Sequence, residues 1–353
     1  MFIFATLVDN YIKQTIQMKI FYFQAEEWEK GYVSEKLKDH SVTFFNNRLE
    51  DNTNLQDDEV EIVSVFVNCH IGKEEMDRFP KLKCIVTRST GYDHVDIAEA
   101  TKRGVVVSNV PSYGENTVAE FAFALLLAIS RRIYDSFKRI KDTGIFSADG
   151  LRGFDLKGKT IGIIGTGKIG KHMIRMSKGF DMNIVAYDAF KDEKAAVELG
   201  FTYMTLDELL SASDIISVHA PYLPSTHHMI NLENVAKIKR GAVLINTARG
   251  GLIDTAAIVL ALKNGTLAGA GLDVLEEEGY LIDEDALLLS AHPNIESLKT
   301  TLENHYLMEH PCVIITPHNA FNSKEAIERI VLTSIEDIAG FVAGSPKNVV
   351  MVK

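Results

Sequence analysis

The hexapeptide GTGKIG at residues 165–170 places three glycines at the spacing G-x-G-x-x-G. Many tight turns share that spacing, so the residues around it decide its chemistry. The apolar run TIGII comes directly before it, and a helical pattern follows from Lys168. Asp188 ends the next apolar run, at the distance of about 20 residues expected of a ribose ligand. A strand, a glycine turn, a helix and an acidic residue in this order predict a dinucleotide site.

Each residue of this motif has a physical role. Gly165 permits the tight turn, Gly167 lets the backbone approach a pyrophosphate, and Gly170 lets the helix and strand pack closely. The helix N-terminus attracts the negative charge of the phosphates. Asp188 can bind both ribose hydroxyls and would repel a 2′-phosphate, which predicts NAD rather than NADP as the cofactor.

Three further polar stretches follow later apolar runs. Open α/β sheets bind ligands at the carboxyl ends of their strands, which is where these stretches are expected. They are INTARGGLID (245–254), GLDVLEEE (271–278) and ITPHNAF (315–321).

These motifs together carry a family resemblance. GTGKIG, HAPYLPSTHHMI, NTARGGLID, GLDVLEEE and TPHNAF resemble, in order and spacing, the D-isomer-specific 2-hydroxyacid dehydrogenase family. The resemblance covers nearly the whole chain from Met18 onward, and within the family the chain is most similar to D-lactate dehydrogenases. It implies a homodimer that reduces pyruvate with NADH to D-lactate and NAD.

The resemblance implies that Arg249, Glu278 and His318 are the catalytic residues. The planar guanidinium of Arg249 suits a substrate with a carboxylate beside a carbonyl. His318 would give a proton to the carbonyl oxygen and take it back in the reverse direction. Glu278 would pair with His318 and favour its protonated form. Because three glutamates are adjacent, Glu276 and Glu277 stay open as alternatives.

The resemblance also implies the binding residues, and the other histidines, including His94, His227 and His228, are interpreted as structural or exposed. Predicted cofactor contacts are Gly165, Gly167, Lys168, Ile169, Gly170, Asp188, Ala220, Pro221, Thr226, Thr247, Ala248 and Asp273. Predicted substrate contacts are Thr90, Gly91, Tyr113, Arg249 and Phe321.

Alternating strand-like and helix-like segments predict an α/β fold with parallel sheets. We expect two Rossmann-like or flavodoxin-like doubly wound domains with a cleft between them. Residues 18–114 with 322–353 are predicted to form a discontinuous substrate domain, residues 115–321 the NAD-binding domain, and residues 1–17 an extension outside the fold. Predicted strands are 19–23, 62–67, 83–89, 105–109, 160–165, 183–188, 215–220, 242–248, 269–275 and 313–318.

Two helices and one long connection complete this interpretation. Thr117 and Glu120 form a T-x-x-E pattern that predicts a helix start. That helix is apolar nearly all round, so we expect it to be buried between domains or between subunits. The last stretch, from about Ala320, reads as one amphipathic helix. The role of residues 279–311 stays open.

Composition excludes several classes of protein. The chain has 353 residues, 46% of them hydrophobic and 24% charged, as in ordinary globular proteins. A formal net charge of −11 argues against nucleic-acid binding, which needs a clustered basic face. Three cysteines without metal-ligand spacing predict no metal site and no disulfide framework, and therefore a cytoplasmic protein. No apolar run is long enough to span a membrane.

Two alternatives remain from the sequence. The enzyme could instead act on phenylpyruvate, hydroxypyruvate or glyoxylate. A protein of a different class, an NAD(H)-sensing corepressor, would bind NADH and oligomerise while turning over slowly.

Overall fold

The structure, a computed structural model, describes residues 17–67, 69–282 and 294–351. The predicted extension at 1–17, except for its last residue, and the middle of the 279–311 segment lie outside the described residues. The chain divides into two compact units: one ends at Tyr113 and resumes at Lys324, and the other comprises Gly114–Ser323.

The first unit is built on a five-stranded parallel sheet in the order β2-β1-β3-β4-β5. This is the flavodoxin-like order of doubly wound sheets. Its strands are β1 Lys19–Tyr22, β2 Ser41–Phe44, β3 Ile62–Val65, β4 Cys84–Thr87 and β5 Val106–Ser108. Its helices are α1 Glu27–Lys36, α2 Lys73–Asp77, α3 Ile97–Arg103 and, from the end of the chain, α12 Lys324–Val342.

The second unit holds a seven-stranded parallel sheet in the order β12-β11-β10-β9-β6-β7-β8. Its strands are β6 Thr160–Ile164, β7 Asn183–Tyr187, β8 Thr202–Tyr203, β9 Ile215–Val218, β10 Ala242–Asn246, β11 Leu267–Leu272 and β12 Val313–Ile315. Its helices are α4 Glu115–Ser130, α5 Ile133–Thr143, α6 Lys168–Gly179, α7 Glu193–Leu199, α8 Leu206–Ala212, α9 Thr255–Lys263, α10 Glu278–Ile282 and α11 Ile295–Glu309. Single 3₁₀ turns lie at Val235–Lys237 and Gly250–Leu252.

Central strands of both sheets are buried along their whole length and mostly apolar, because helices cover both faces. All four residues of β3 and of β9 and all five of β10 are buried. The strand order reverses where β6 lies beside β9, so the chain runs outward in both directions from this pair. Such a reversal opens a crevice at the strands' carboxyl ends, where dinucleotides bind. The predicted fold class, two doubly wound parallel sheets, is confirmed.

The predicted start of the apolar helix is wrong. Helix α4 begins at Glu115, with Gly114 as its N-cap, so Thr117 is already inside the first turn and buried. The side chain of Glu120 accepts a hydrogen bond from Asn116 instead of capping a helix end. Gly114 supplies the helix start, and the T-x-x-E pattern lies inside the helix.

One side of helix α4 packs inside its own unit, and its expected burial between domains or between subunits stays a prediction. Its apolar residues pack against α6 and against β10 and β11. Phe123, Leu125 and Leu126 belong to the same buried cluster as Ile161 and Ile163 of β6. One face of the seven-stranded sheet therefore explains why this helix is apolar.

Helix α5, which follows directly, has no buried residue. Its large apolar side chains, Ile133, Tyr134, Phe137 and Ile140, are each about half exposed or more. Among the described residues, no helix is both long enough and apolar enough to cross a membrane.

Candidate active site

The glycine turn joins β6 to α6 and brings the ends of β6 and β9 together. Gly165 has a φ of +94°, and a Cβ on it would lie 2.7 Å from the backbone N of Ala220. A Cβ on Gly170 would lie 2.0 Å from the carbonyl O of Gly165. Both positions therefore require glycine, one for its backbone conformation and contact, the other for helix–strand packing.

Gly167 has a different environment, which fits the predicted pyrophosphate. It is the N-cap of α6, and no atom lies within 4 Å of where its Cβ would be. The open space lies at the N-terminus of a twelve-residue helix, where unpaired backbone N–H groups favour an anion. Lys168, in the first turn, forms an ion pair of 3.0 Å with Glu115, and Ile169 beside it is half-buried.

Asp188 lies just beyond β7 and is bonded to the glycine turn. Its Oδ2 accepts hydrogen bonds from the backbone N and the hydroxyl of Thr166, at 2.7 and 3.0 Å. Its Oδ1 accepts one from the backbone N of Phe190 at 2.9 Å. A carboxylate has about four acceptor positions. Asp188 therefore fixes the turn while keeping a negative charge at the strand end.

The loop after β9 contains the next three predicted cofactor contacts. Ala220 is buried against the glycine turn, and Pro221 is exposed. The hydroxyl of Thr226 donates to the carbonyl O of Pro221 at 2.7 Å and accepts from the backbone N of Leu223 at 2.8 Å. Thr226 thus closes the loop on itself.

Arg249 lies in the turn after β10, and Asn246 shapes that turn. The Asn246 side chain donates to the carbonyl O of Arg249 at 2.9 Å and accepts from the backbone N of Ala248 at 3.0 Å. A Cβ on the next residue, Gly250, would lie 2.0 Å from the carbonyl C of Leu275. The Arg249 turn is therefore packed directly against the backbone of the turn that carries the three glutamates.

Thr247, beside Arg249, is 8% exposed. Within the part of the chain that the structure describes, its buried hydroxyl has no hydrogen-bond partner. Buried polar groups in proteins are normally paired. A bound polar group at this end of the sheet would satisfy the hydroxyl, which fits the predicted cofactor contact.

Asp273 follows β11 and holds the segment that carries His318. Its Oδ1 accepts from the Thr316 hydroxyl at 2.6 Å and from the backbone N of Asn319 at 2.8 Å. Its Oδ2 accepts from the backbone N of Ala320 at 2.8 Å, and its carbonyl O accepts from the backbone N of His318 at 2.8 Å. Burial raises the pKa of Asp273. The contacts stabilise the left-handed backbone of His318, whose φ is +51°.

His318 and Glu278 are brought together although 39 residues separate them in the sequence. The Nδ1 of His318 lies 2.8 Å from Oε1 of Glu278, and both side chains are partly exposed. The other carboxylate oxygen of Glu278 accepts from the backbone N of Leu275 at 3.3 Å. Of the three adjacent glutamates, only Glu278 contacts the histidine: Glu276 bonds elsewhere, and Glu277 is exposed.

Three of the predicted substrate contacts, Thr90, Gly91 and Tyr113, belong to the first unit. The Thr90 hydroxyl donates to the carbonyl O of Val110 at 2.7 Å, and the carbonyl O of Gly91 accepts from the Ser89 hydroxyl at 2.6 Å. These bonds order the loop after β4. The carbonyl O of Tyr113 accepts from Arg329 of α12. Phe321 lies in the second unit, three residues after His318.

Sequence reasoning missed the residues that hold the site together. Thr166 lies inside the glycine motif, where the alternation of glycines draws attention away from it. Asp273 was predicted only as a cofactor contact, and Glu276 only as an alternative acid. The sequence interpretation of His228 is structural or exposed, whereas in the structure it contacts Glu276. The segment THHMI gives no indication of this contact, because Glu276 is 48 residues away.

Comparison with known proteins agrees with this geometry. The family described as "D-isomer specific 2-hydroxyacid dehydrogenase, NAD binding domain" matches residues 123–320. The D-lactate dehydrogenase of Escherichia coli (strain K12) is 34% identical over 93% of this chain and 98% of its own. A glyoxylate reductase of Korarchaeum cryptofilum is 37% identical over 79% of each chain.

A solved structure, the D-lactate dehydrogenase of Aquifex aeolicus in complex with NAD and lactic acid, is similar with a TM-score of 0.81. That likeness has 34% identity and covers 92% of this chain and 96% of that chain. The chain therefore belongs to the D-isomer-specific 2-hydroxyacid dehydrogenases, which are NAD-dependent oxidoreductases acting on CH–OH groups.

Proposed function

We propose that the protein interconverts pyruvate and D-lactate, with Arg249, Glu278 and His318 as its catalytic residues. The observation that carries the proposal is the 2.8 Å contact between His318 and Glu278. This pair lies beside the Arg249 turn, at the same carboxyl edge of the seven-stranded sheet as the glycine turn. D-lactate dehydrogenases among the relatives match over nearly the full chain, and this favours pyruvate over glyoxylate.

The residues divide the chemistry as follows. Bound NADH supplies the hydride that reduces the substrate carbon. Arg249 binds the substrate carboxylate through its paired N–H groups. His318 presents Glu278 with its Nδ1, so Nε2 is the nitrogen that gives a proton to the carbonyl oxygen. Glu278 fixes the orientation of the ring through its contact with Nδ1. Gly167, Asp188 and Thr247 would hold the pyrophosphate, ribose and nicotinamide ends of the cofactor.

Thr90 and Gly91 are proposed to bind the substrate carboxylate through their backbone N–H groups, with Tyr113 and Phe321 lining the substrate pocket. The support is the ordered loop after β4. There the Asn109 side chain donates a hydrogen bond to the carbonyl O of Thr90, and the Ser89 hydroxyl donates one to the carbonyl O of Gly91. The remaining predicted cofactor contacts, Lys168, Ile169, Ala220, Pro221, Thr226, Ala248 and Asp273, are proposed on the same family resemblance.

A panel of keto acids tests the substrate. Oxidation of NADH is measured with pyruvate, phenylpyruvate, hydroxypyruvate and glyoxylate, and kcat/KM is compared. We expect the highest value for pyruvate; a higher value for glyoxylate would place the protein with the glyoxylate reductases. Binding of NADH without turnover of any keto acid would favour the NAD(H)-sensing alternative instead.

We also infer a cytoplasmic homodimer. The exposed face of α5 continues into Ile145, exposed by 56%, and Phe146, exposed by 94%. Contiguous exposed apolar surface of this kind marks interaction sites, which supports the dimer. The cytoplasmic location is supported separately by the three cysteines, which are free, as suits a reducing compartment. Light scattering should give twice the mass of the chain for the wild type and a smaller mass for Phe137→Glu; a monomeric wild type would exclude the dimer.

A further inference from the structure

Glu276 lies between Asp273 and Glu278 in sequence, and the proposed reaction gives it no role. Its carboxylate is nevertheless bonded on both oxygens. Oε1 lies 2.5 Å from Nε2 of His228, and Oε2 accepts from the hydroxyl of Thr255 at 3.0 Å and its backbone N at 3.3 Å. The Glu276 side chain is 17% exposed. Glu276 is therefore fixed in place by its hydrogen bonds, unlike the exposed Glu277 that follows it.

His228 reaches the Arg249 turn as well. Its backbone N donates to the carbonyl O of Gly251 at 2.9 Å, and Ile230 continues this pairing to Leu252 at 3.3 Å. His228 therefore contacts the Arg249 turn through its backbone and the turn of the three glutamates through its ring. Its φ of +48° is unusual for a residue with a side chain, so the surrounding contacts must impose it.

Glu276 is also held from the long connection before β12. Asn304 of α11 is fully buried, and its side-chain N–H donates to the carbonyl O of Glu276 at 2.8 Å. This contact gives a role to part of the 279–311 segment, which the sequence left open. Side chain and backbone of Glu276 thus join the loop before Ile230, the start of α9, the glutamate turn and α11.

Other acidic side chains lie near Glu276. Burial raises the pKa of Glu303, and the carboxylates of Asp254 and Glu276 contribute in the same direction. Glu276 therefore lies near two other acids, and the Nε2 of the His228 ring can act as a hydrogen-bond donor to it. The ring of His227 stacks on that of His228 at 3.8 Å between centroids, which limits its rotation.

We propose that His228 and Glu276 are positioning residues that hold the Arg249 turn and the Glu278 turn in fixed register for hydride transfer. This inference rests on the proposed function, because it concerns the same reaction. Neither side chain is among the proposed substrate contacts. Their effect passes through the backbone of residues 249–252 and 275–278, and a small displacement of either turn would misplace the guanidinium relative to the imidazole.

The test uses the full-length protein and four variants: His228→Ala, His228→Gln, Glu276→Gln and, as the matched control, Glu277→Gln. For each we would measure kcat and KM with pyruvate, the Kd for NADH by fluorescence, and Tm. His228→Ala and Glu276→Gln should lower kcat by about 10–100-fold, as found when a supporting partner of a reactive group is removed. The Kd for NADH should stay unchanged, since neither His228 nor Glu276 is among the proposed cofactor contacts.

Two further results separate positioning from general stability. The amide of His228→Gln can still donate to Glu276, so this variant should recover most of the activity lost in His228→Ala. The double variant of His228→Ala with Glu276→Gln should lose little more than His228→Ala does, since the contact that Glu276→Gln weakens is already absent. Glu277→Gln should behave as the wild type.

Wild-type kcat in both His228→Ala and Glu276→Gln would overturn the inference while leaving the proposed function intact. A His228→Gln variant as impaired as His228→Ala would also overturn it, because the hydrogen bond would then not be the cause. If Glu276→Gln does not fold, the two His228 variants decide the question. If the wild type reduces no 2-keto acid, the proposed function fails and the positioning role fails with it.

Discussion

The two ends of the seven-stranded sheet present their chemistry in different ways. At β6 and β7 the backbone forms most of the site, with an open glycine, a helix N-terminus and a tight turn that the contact between Thr166 and Asp188 secures. At β10, β11 and β12 side chains do so, on three turns that depend on one another through Gly250, Asp273 and Glu276. The first end depends on steric fit within one short segment, and the second on contacts between segments far apart in sequence.

This difference predicts separate failures for the two ends. Changes near β6 should affect cofactor affinity and stability and spare kcat. Changes at Glu278 and His318, which follow β11 and β12 and are not among the proposed cofactor contacts, should lower kcat and spare cofactor affinity. A variant at one end that changed the quantity assigned to the other end would contradict this difference between the two ends.

The largest effect is expected at His318. His318→Gln removes the proton donor and should lower kcat with pyruvate by about 10²–10⁴-fold, the usual contribution of general acid–base catalysis. The Kd for NADH, measured by fluorescence titration, should not change. A variant that loses NADH binding together with kcat would show that this end also holds the cofactor turn.

The next effect concerns the packing of the glycine turn. A Cβ at Gly170 would lie 2.0 Å from the carbonyl O of Gly165, whereas nothing lies within 4 Å of one at Gly179 in the same helix. Gly170→Ala should lower the free energy of unfolding by about 1–3 kcal/mol, as overpacking does. Urea denaturation measures it, with Gly179→Ala as the matched control. Equal stability of the two variants would contradict the steric requirement at this turn.

A smaller effect is expected at Thr166. Thr166→Val removes the hydroxyl that contacts Asp188 at 3.0 Å and Tyr203 at 2.7 Å but keeps the side-chain volume. Loss of such a hydrogen bond costs about 1 kcal/mol. We expect a modest rise in the Kd for NADH with kcat unchanged. A fall in kcat at saturating NADH would speak against the division between the two ends.

The same difference explains what the sequence could predict. The glycine turn and Asp188 have a fixed local order, and the buried strands are apolar runs, so both are visible without a structure. Strands β2 and β8 were not predicted. In β2, exposed residues alternate with partly buried ones, and β8 has only two residues. Both strands lie at sheet edges, where burial does not require a continuous apolar run.

The supporting contacts could not be predicted for a geometric reason. Asp273 meets residues 316–320, and Glu276 meets residues 228, 255 and 304. Only the strand order brings these segments together, and no spacing in the sequence encodes it. The capping pattern at Thr117 failed because the helix begins earlier, at Glu115, with Gly114 as its N-cap.

The most direct measurement is the chirality of the product. The purified protein is incubated with pyruvate and NADH, and lactate is resolved by chiral chromatography while NADH consumption is recorded. The account predicts D-lactate as the only enantiomer, in amounts equal to the NADH consumed. L-lactate, or no lactate from pyruvate under conditions in which NADH binds, would contradict it.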